Sequence, residues 1–82
     1  MPNAKQTKVP VTMRALTQRI DRMLAAGGKR LKAAGRNERI RETFGDFFVL
    51  DLYTSAVTQR HLDPEKFGRE HGLMQPWETL AD

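Results

Sequence analysis

The segment that most constrains the fold of this chain is residues 12–34, with the sequence TMRALTQRIDRMLAAGGKRLKAA. At about 100° per residue, its apolar positions and one glycine fall on one face of a single helix. They are Met13, Leu16, Ile20, Met23, Leu24, Gly27, Leu31 and Ala34. The pattern predicts one long amphipathic helix with Thr12 as its N-cap, ending at Gly35.

Two adjacent glycines, Gly27 and Gly28, leave an alternative open. Each costs a helix about 1 kcal/mol relative to alanine, so the segment could break into two shorter helices. The continuous helix is favoured because Leu31 and Ala34 return to the apolar face beyond the glycines. Since Gly27 lies within that face, we expect a bulky side chain to approach its backbone. The candidates are Phe44, Phe47, Phe48 and Trp77.

The cations of the same segment lie away from its apolar face and are the candidate binding residues. Arg19 and Arg30 lie on the shoulder of that face and the others opposite it. The predicted set for a partner or nucleic acid is Arg14, Arg19, Arg22, Lys29, Lys32 and Arg36. Residues 1–43 hold eleven Lys and Arg against three acids, a net +8, whereas residues 44–82 have a net −4. A positive half suits an acidic protein surface or nucleic acid, although the two halves could also complement each other within the fold or across a homodimer.

The middle of the chain reads as a short helix followed by a β-hairpin. Asn37 can cap a helical turn that starts at Glu38 and ends before Gly45, although Ile40, Glu42 and Phe44 also fit the alternation of a strand. Residues 46–53, DFFVLDLY, form the clearest strand, and residues 56–61 a second, antiparallel one. The predicted core face of the first strand is Phe48, Leu50 and Leu52, and its outer face is Phe47, Val49, Asp51 and Tyr53.

The segment LDPEKFGREHGL carries the best-defined helix signals. Asp63 is the predicted N-cap, Pro64 the first helical residue and Gly72 the terminator. Leu62 and Phe67 have the spacing of a hydrophobic staple. After the predicted helix, residues 64–71, the tail should clasp the core with Leu73, Met74, Trp77 and Leu80.

Together these elements predict a small α+β fold. Its long N-terminal amphipathic helix packs on a two-stranded antiparallel hairpin, followed by a short C-terminal helix. Residues 1–11, which are polar and basic with two prolines, form a flexible basic arm, and residues 12–82 form the single domain.

The chain carries little that indicates catalysis. It has no cysteine, and its two histidines, His61 and His71, are far apart in sequence. A metal or acid/base site at His61 and Asp63 is conceivable, but Asp63 is already the predicted cap and His71 suits a helix C-terminus. Nucleophile and phosphate-loop motifs are missing, so we expect a non-enzyme without a cofactor.

Hydropathy and charge predict the compartment of the chain and the partners that it could bind. No apolar run approaches a membrane span, and a cytoplasmic protein without a membrane partner is expected. The basic face could follow a phosphate backbone, with Tyr53 or Phe47 available for stacking. The signal for sequence-specific reading of bases is weak, because Gln18 is the main amide on that face.

Three stretches, LTQRI, GDFFVLDLY and HLDPEKFGREHGLMQPWE, resemble small bacterial proteins encoded on plasmids, integrative elements and phages. Such elements encode proteins that block host defence, including anti-CRISPR proteins. The resemblance implies only this genetic setting. Together with the small size, the missing catalytic motifs and the two-ended charge, it leads us to expect a non-enzymatic binding protein that docks on a host protein or nucleoprotein complex, as an anti-CRISPR-type inhibitor does. The alternative is a nucleic-acid-binding accessory protein that uses the basic helix face.

Overall fold

A computed structural model describes residues 8–81, in which the chain forms three helices and five strands in two sheets. The elements are β1 (Val9–Thr12), α1 (Met13–Ala25), β2 (Lys29–Ala33), α2 (Glu38–Phe44), β3 (Phe47–Asp51), β4 (Val57–Gln59), α3 (Pro64–Glu70) and β5 (Glu78–Ala81). Strands β2, β3 and β4 form an antiparallel sheet with β3 in the centre, and β1 pairs with β5 in parallel. The predicted long helix on a two-stranded hairpin is therefore wrong.

The predicted long helix ends at Ala25, and most of its second part is strand β2. Its start is confirmed, because the Thr12 hydroxyl accepts a hydrogen bond from the Ala15 N–H. The glycines form a turn in which Gly28 has a φ of +77° and donates its N–H to the Ala25 carbonyl. Strand pairing with β3 then satisfies the backbone without placing two glycines inside a helix, which explains the break.

Leu31 shows why the helical pattern was misleading. It packs against the core from β2, directly opposite Val49 of β3. Leu16 and Ile20 of α1 are fully buried in the same cluster, as the pattern predicted for them. A strand can thus bring Leu31 to the position that a continuous helix would have given it, so the periodicity alone could not distinguish the two.

The glycine that a ring approaches is Gly28 rather than Gly27. An added Cβ at Gly28 would lie 2.3 Å from Cε2 of Tyr53, whereas one at Gly27 would meet only the Leu24 carbonyl at 3.6 Å. The predicted approach to Gly27 is therefore wrong, and so are its four candidates, Phe44, Phe47, Phe48 and Trp77. The turn between β3 and β4, which carries Tyr53, lies over the glycine turn because β2 and β3 are paired.

The two faces of β3 are the reverse of the prediction. Val49 belongs to the main core cluster and Phe47 packs against it, whereas Phe48 is buried outside that cluster beside Phe44 of α2. Leu52 is 54% exposed. Because α1 covers one side of the sheet and Phe44 covers part of the other, both sides of β3 carry apolar residues and alternation could not assign them.

The two short helices are confirmed, although α3 ends at Glu70, one residue before the predicted end. Asn37 caps α2 by accepting the Ile40 N–H, and Gly45 ends it. Asp63 caps α3 by accepting the N–H groups of Glu65 and Lys66, and Gly72 follows with a φ of +70°. The predicted staple residues are both buried in the core. Local capping chemistry therefore fixed these helices.

The parallel pair of β1 and β5 joins the two ends of the described chain, and no sequence signal predicted it. Of the expected basic arm, residues 1–7 lie outside the described residues, while residues 9–11 belong to β1. In the tail, Met74 is buried as predicted, but Trp77 is 51% exposed and is not part of the clasp. The Trp77 carbonyl instead accepts the Val9 N–H at the start of the pair.

Candidate basic interface

Within the fold, a larger share of the acidic side chains than of the basic side chains takes part in ion pairs. Residues 8–81 contain thirteen Lys and Arg and nine Asp and Glu. Four ion pairs form: Arg19–Glu78, Arg30–Asp21, Arg41–Asp46 and Arg69–Glu65. Two more carboxylates, Asp51 and Asp63, accept backbone N–H groups. Among the described cations, the nine without an ion-pair partner are Lys8, Arg14, Arg22, Lys29, Lys32, Arg36, Arg39, Arg60 and Lys66.

Arg19, one of the predicted binding residues, holds the C-terminal segment onto α1. Its Nη1 and Nη2 donate to the two carboxylate oxygens of Glu78 at 3.0 and 3.1 Å. Nη1 also donates to the Leu73 carbonyl at 2.9 Å. Because both ends of its guanidinium are engaged inside the protein, the structure gives Arg19 a role in packing.

Glu78 is the buried carboxylate of this network, with 8% of its surface exposed. Its Oε1 also accepts the Gln75 N–H at 2.8 Å, and its own carbonyl accepts from Arg69 at 2.9 Å. The hydrogen bond from Arg19, followed by that from the Gln75 N–H, lowers the pKa of Glu78 below its ordinary value of 4.5. The ionised form of Glu78 is therefore part of the folded state.

The lowered pKa of Glu78 predicts a loss of stability in acid. A carboxylate with a lowered folded-state pKa contributes stability that is present above about pH 4.5 and is lost as the pH falls through its folded value. We expect Glu78→Gln to lower Tm by about 5 °C or more at pH 7 and to lower it much less at pH 2. Thermal denaturation at both pH values measures this. Glu70→Gln, at an exposed glutamate of α3, is the control and should leave Tm within about 1 °C; an equal loss from the two variants would contradict the assignment.

Asp21 binds the outer edge of β2. Its Oδ1 accepts the Arg30 Nε and the Leu31 N–H, both at 2.9 Å. The Arg30 hydrogen bond is the main reason that the pKa of Asp21 is lowered, and the Leu31 N–H adds to it. α1 is thereby tied to β2, and the carboxylate covers a backbone donor that an edge strand would leave unpaired.

The remaining predicted binding residues do not share one helix face. Arg14 and Arg22 are exposed on α1, Lys29 and Lys32 lie in β2, and Arg36 lies in the turn that follows. The turn at the glycines separates the first two from the others. The structure thus divides the predicted basic face into a helical group and a group on and after β2, and their part in binding stays a prediction.

The strand pairing places cations beside aromatic rings on the side of the sheet away from the main core. We call the residues of β2 and β3 on that side the outer sheet face: Lys32, Phe48 and Leu50. Lys32 lies opposite Phe48, whose ring centroid is 5.1 Å from that of Phe44. The Arg60 guanidinium lies 5.3 Å from the Phe44 centroid. No sequence signal indicated Arg60, because only the tertiary fold brings it to this side.

The two histidines lie at different ends of α3: His61 is in the connection between β4 and α3, and His71 is the C-cap of α3. His61 lines a cavity of about 360 Å³ together with Asp63, Lys66 and Glu70, and its N–H donates to the Phe44 carbonyl. The His71 ring packs against that of Phe67 in a tilted arrangement, with a centroid distance of 4.1 Å and an interplanar angle of 31°. Among residues 8–81, no three His, Asp or Glu side chains are grouped so that they could hold a metal ion. Their visible interactions are structural.

Comparison of the chain with protein families, with curated proteins and with solved structures gave no match. None of the helices between residues 8 and 81 combines the length and the apolar character needed to cross a bilayer.

Proposed function

We propose that this chain is a non-enzymatic binding protein of a mobile genetic element, which docks on a host protein or nucleoprotein complex as an anti-CRISPR-type inhibitor does. The observation that supports the proposal is the unequal use of charge within the fold. Six of the nine described carboxylates are engaged in ion pairs or backbone hydrogen bonds, whereas eight of the thirteen cations among residues 8–81 have neither kind of partner there. The charge left for a partner is mainly positive, and it complements an acidic surface.

The carboxylates with shifted pKa values also favour binding over catalysis. The pKa values of Asp21, Asp51 and Glu78 are all lowered. In each case the cause is an internal hydrogen bond: from Arg30 to Asp21, from the Thr54 N–H to Asp51, and from Arg19 to Glu78. A general base or acid would need a shifted group facing a substrate site. These shifts instead accompany contacts that hold the fold together.

A second candidate is a nucleic-acid-binding accessory protein. It is favoured by the exposed Arg14 and Arg22 on α1 together with Lys32 on the outer sheet face. Cations on two elements could neutralise several phosphates and release their counterions. Binding of this kind weakens as salt increases, by about 0.9 in log K per log unit of salt for each phosphate contacted.

Charge reversal tests the contribution of the predicted cations. We expect the double variant Arg22→Glu/Lys32→Glu to weaken binding to the partner by about tenfold or more, because each change replaces attraction with repulsion. The measurement is co-elution with purified CRISPR effector complexes, and fluorescence anisotropy with duplex DNA at about 50 and 200 mM salt.

The control double variant is Arg39→Glu/Lys66→Glu, which changes the net charge equally but uses exposed cations of α2 and α3. It should weaken binding by about threefold or less. Loss of complex binding without any DNA binding would favour docking on protein, whereas steeply salt-dependent DNA binding would favour the second candidate. Equal losses in the two double variants would show that only net charge matters and would contradict a defined interface.

A further inference from the structure

The turn between β3 and β4 displays the most exposed aromatic residue of the described chain that has no role in the core. Tyr53 is 86% exposed. Asp51 fixes the backbone of this turn, since its Oδ1 accepts the N–H groups of Tyr53 at 2.8 Å and Thr54 at 3.1 Å. The Asp51 carbonyl also accepts the Ser55 N–H. The turn therefore holds its aromatic residue in a defined position.

The side chain of Tyr53 is supported from one side by the glycine turn. An added Cβ at Gly28 would overlap the ring, at 2.3 Å from Cε2 and 3.1 Å from Cδ2. Only glycine leaves room for this approach, and its φ of +77° also favours glycine. The ring thus rests on the backbone while most of its surface faces solvent. A supported ring loses little conformational entropy when a second planar group stacks on it.

The cations next to this ring follow β2. Lys29 comes directly after Gly28 and lies opposite Asp51, on the core side of the sheet, whereas Lys32 lies on the outer sheet face. Because β2 is at the edge of its sheet, the two lysines border its free edge from opposite sides, roughly 10 Å apart along the strand. The Arg30 Nε is bonded to Asp21, and Lys29 and Lys32 have no ion-pair partner among residues 8–81. An extended polyanion lying along the free edge of β2 could be contacted by both lysines and would begin beside the ring.

We propose that Tyr53 is a stacking site for one base of a single-stranded nucleic acid, with Lys29 and Lys32 contacting its phosphates. This inference rests on the proposed function, and it names the part of a nucleoprotein complex that the chain touches. A duplex keeps its bases stacked internally and offers none to a single ring on a turn. An acidic protein surface would satisfy the lysines but leaves the exposed ring without a contact. A single strand supplies both a planar base and a phosphate, which is how such strands are commonly bound.

The test measures binding of the full chain to a dye-labelled oligothymidine of 12 nucleotides by fluorescence anisotropy at low salt. Stacking is worth a factor of about 5 to 100 in affinity per base, so Tyr53→Leu should weaken binding by that range. Tyr53→Phe retains the ring and should stay within about twofold. Leucine keeps an apolar contact with Gly28, and unchanged thermal denaturation of Tyr53→Leu confirms that folding is intact.

Trp77→Leu is the matched control, because Trp77 is also an exposed aromatic residue but adjoins the β1–β5 pair. It should leave the affinity for the oligonucleotide unchanged. An unaltered affinity in Tyr53→Leu, an equal loss in Trp77→Leu, or tighter binding to a duplex of the same length would overturn the stacking site. Capture of an effector complex by a wild-type chain that does not bind the oligonucleotide would overturn the site but leave the proposed function standing. Tyr53-dependent oligonucleotide binding without capture of any complex would support the site and contradict docking.

Discussion

Gly45→Ala is expected to lower the free energy of unfolding by about 4 kcal/mol, one of the two largest effects of a single change in this chain. Gly45 has φ of +88° and ψ of −177°, a region that residues with a Cβ rarely occupy. The added Cβ would also lie 2.6 Å from Nδ1 and 2.7 Å from Cα of His61. The backbone of His61 cannot move away easily, because its N–H donates to the Phe44 carbonyl and the next N–H donates to Phe47.

Chemical denaturation of the purified variant measures this effect. A domain of this length has a total stability of about 4–12 kcal/mol, so a loss of this size removes between a third and all of the stability. Gly35→Ala is the matched control: Gly35 also has a positive φ, +60°, but an added Cβ there meets no atom within 4 Å. It should cost about 1 kcal/mol. If the two alanine variants were equally stable, the close packing of residue 61 on Gly45 would be refuted.

Leu16→Ala is the second large effect, with an expected loss of about 3–4 kcal/mol. Leu16 is fully buried in the main core, and a Cβ added at Gly68 of α3 would lie 2.8 Å from its Cδ1. Its side chain fills the space between α1 and α3, and removing it leaves a cavity that the glycine cannot fill. The loss therefore combines transfer of the apolar atoms to water with the cost of the cavity.

The matched control is Leu52→Ala, the same substitution at a leucine that is 54% exposed. We expect a loss of less than about 1 kcal/mol, because little buried surface is removed. Denaturation curves with equal slopes for the two variants would show that only stability has changed. Comparable losses at the two leucines would mean that α1 does not pack on α3 through Leu16.

Local signals in the sequence predicted the elements that depend on local chemistry. The caps at Thr12, Asn37 and Asp63 each bind the backbone N–H groups expected of them, and the helices that follow begin at the predicted residues. The β3–β4 hairpin is also present, although β4 covers fewer residues than expected. These features were predictable because each rests on residues within a few positions of one another.

The predictions that were wrong concern features that depend on residues far apart in the sequence. Residues 29–33 have a helical apolar pattern but form a strand, because β3 offers them backbone partners about twenty residues away in the chain. The choice between the faces of β3 depended on which side α1 would cover. Pairing of the chain ends in β1 and β5 likewise depends on residues almost seventy positions apart. No local pattern contains such information.

The same difference between local and long-range information applies to the candidate interface. Sequence charge identified Arg14, Arg22, Lys29 and Lys32, which have no ion-pair partner among the described residues, but it grouped them on one helix that does not exist in full. It also included Arg19, which the fold uses to hold Glu78. The sequence predicted Tyr53 as a stacking residue on the same strand face as Phe47, but in the structure it lies in the turn after β3. The support of its ring by Gly28 is visible only in the tertiary structure.

By itself, the sequence determined where helices start, where turns fall and how much positive charge the chain carries, because these properties follow from single residues and their near neighbours. Only the tertiary structure decided what becomes of residues 12–34. Pairing of β2 with β3 satisfies the backbone of residues 29–33 and still delivers Leu31 to the core, whereas a continuous helix would have to bear two internal glycines. That long-range choice ends α1 at Ala25, moves Lys29 and Lys32 of the predicted basic face onto a sheet and places Tyr53 over Gly28.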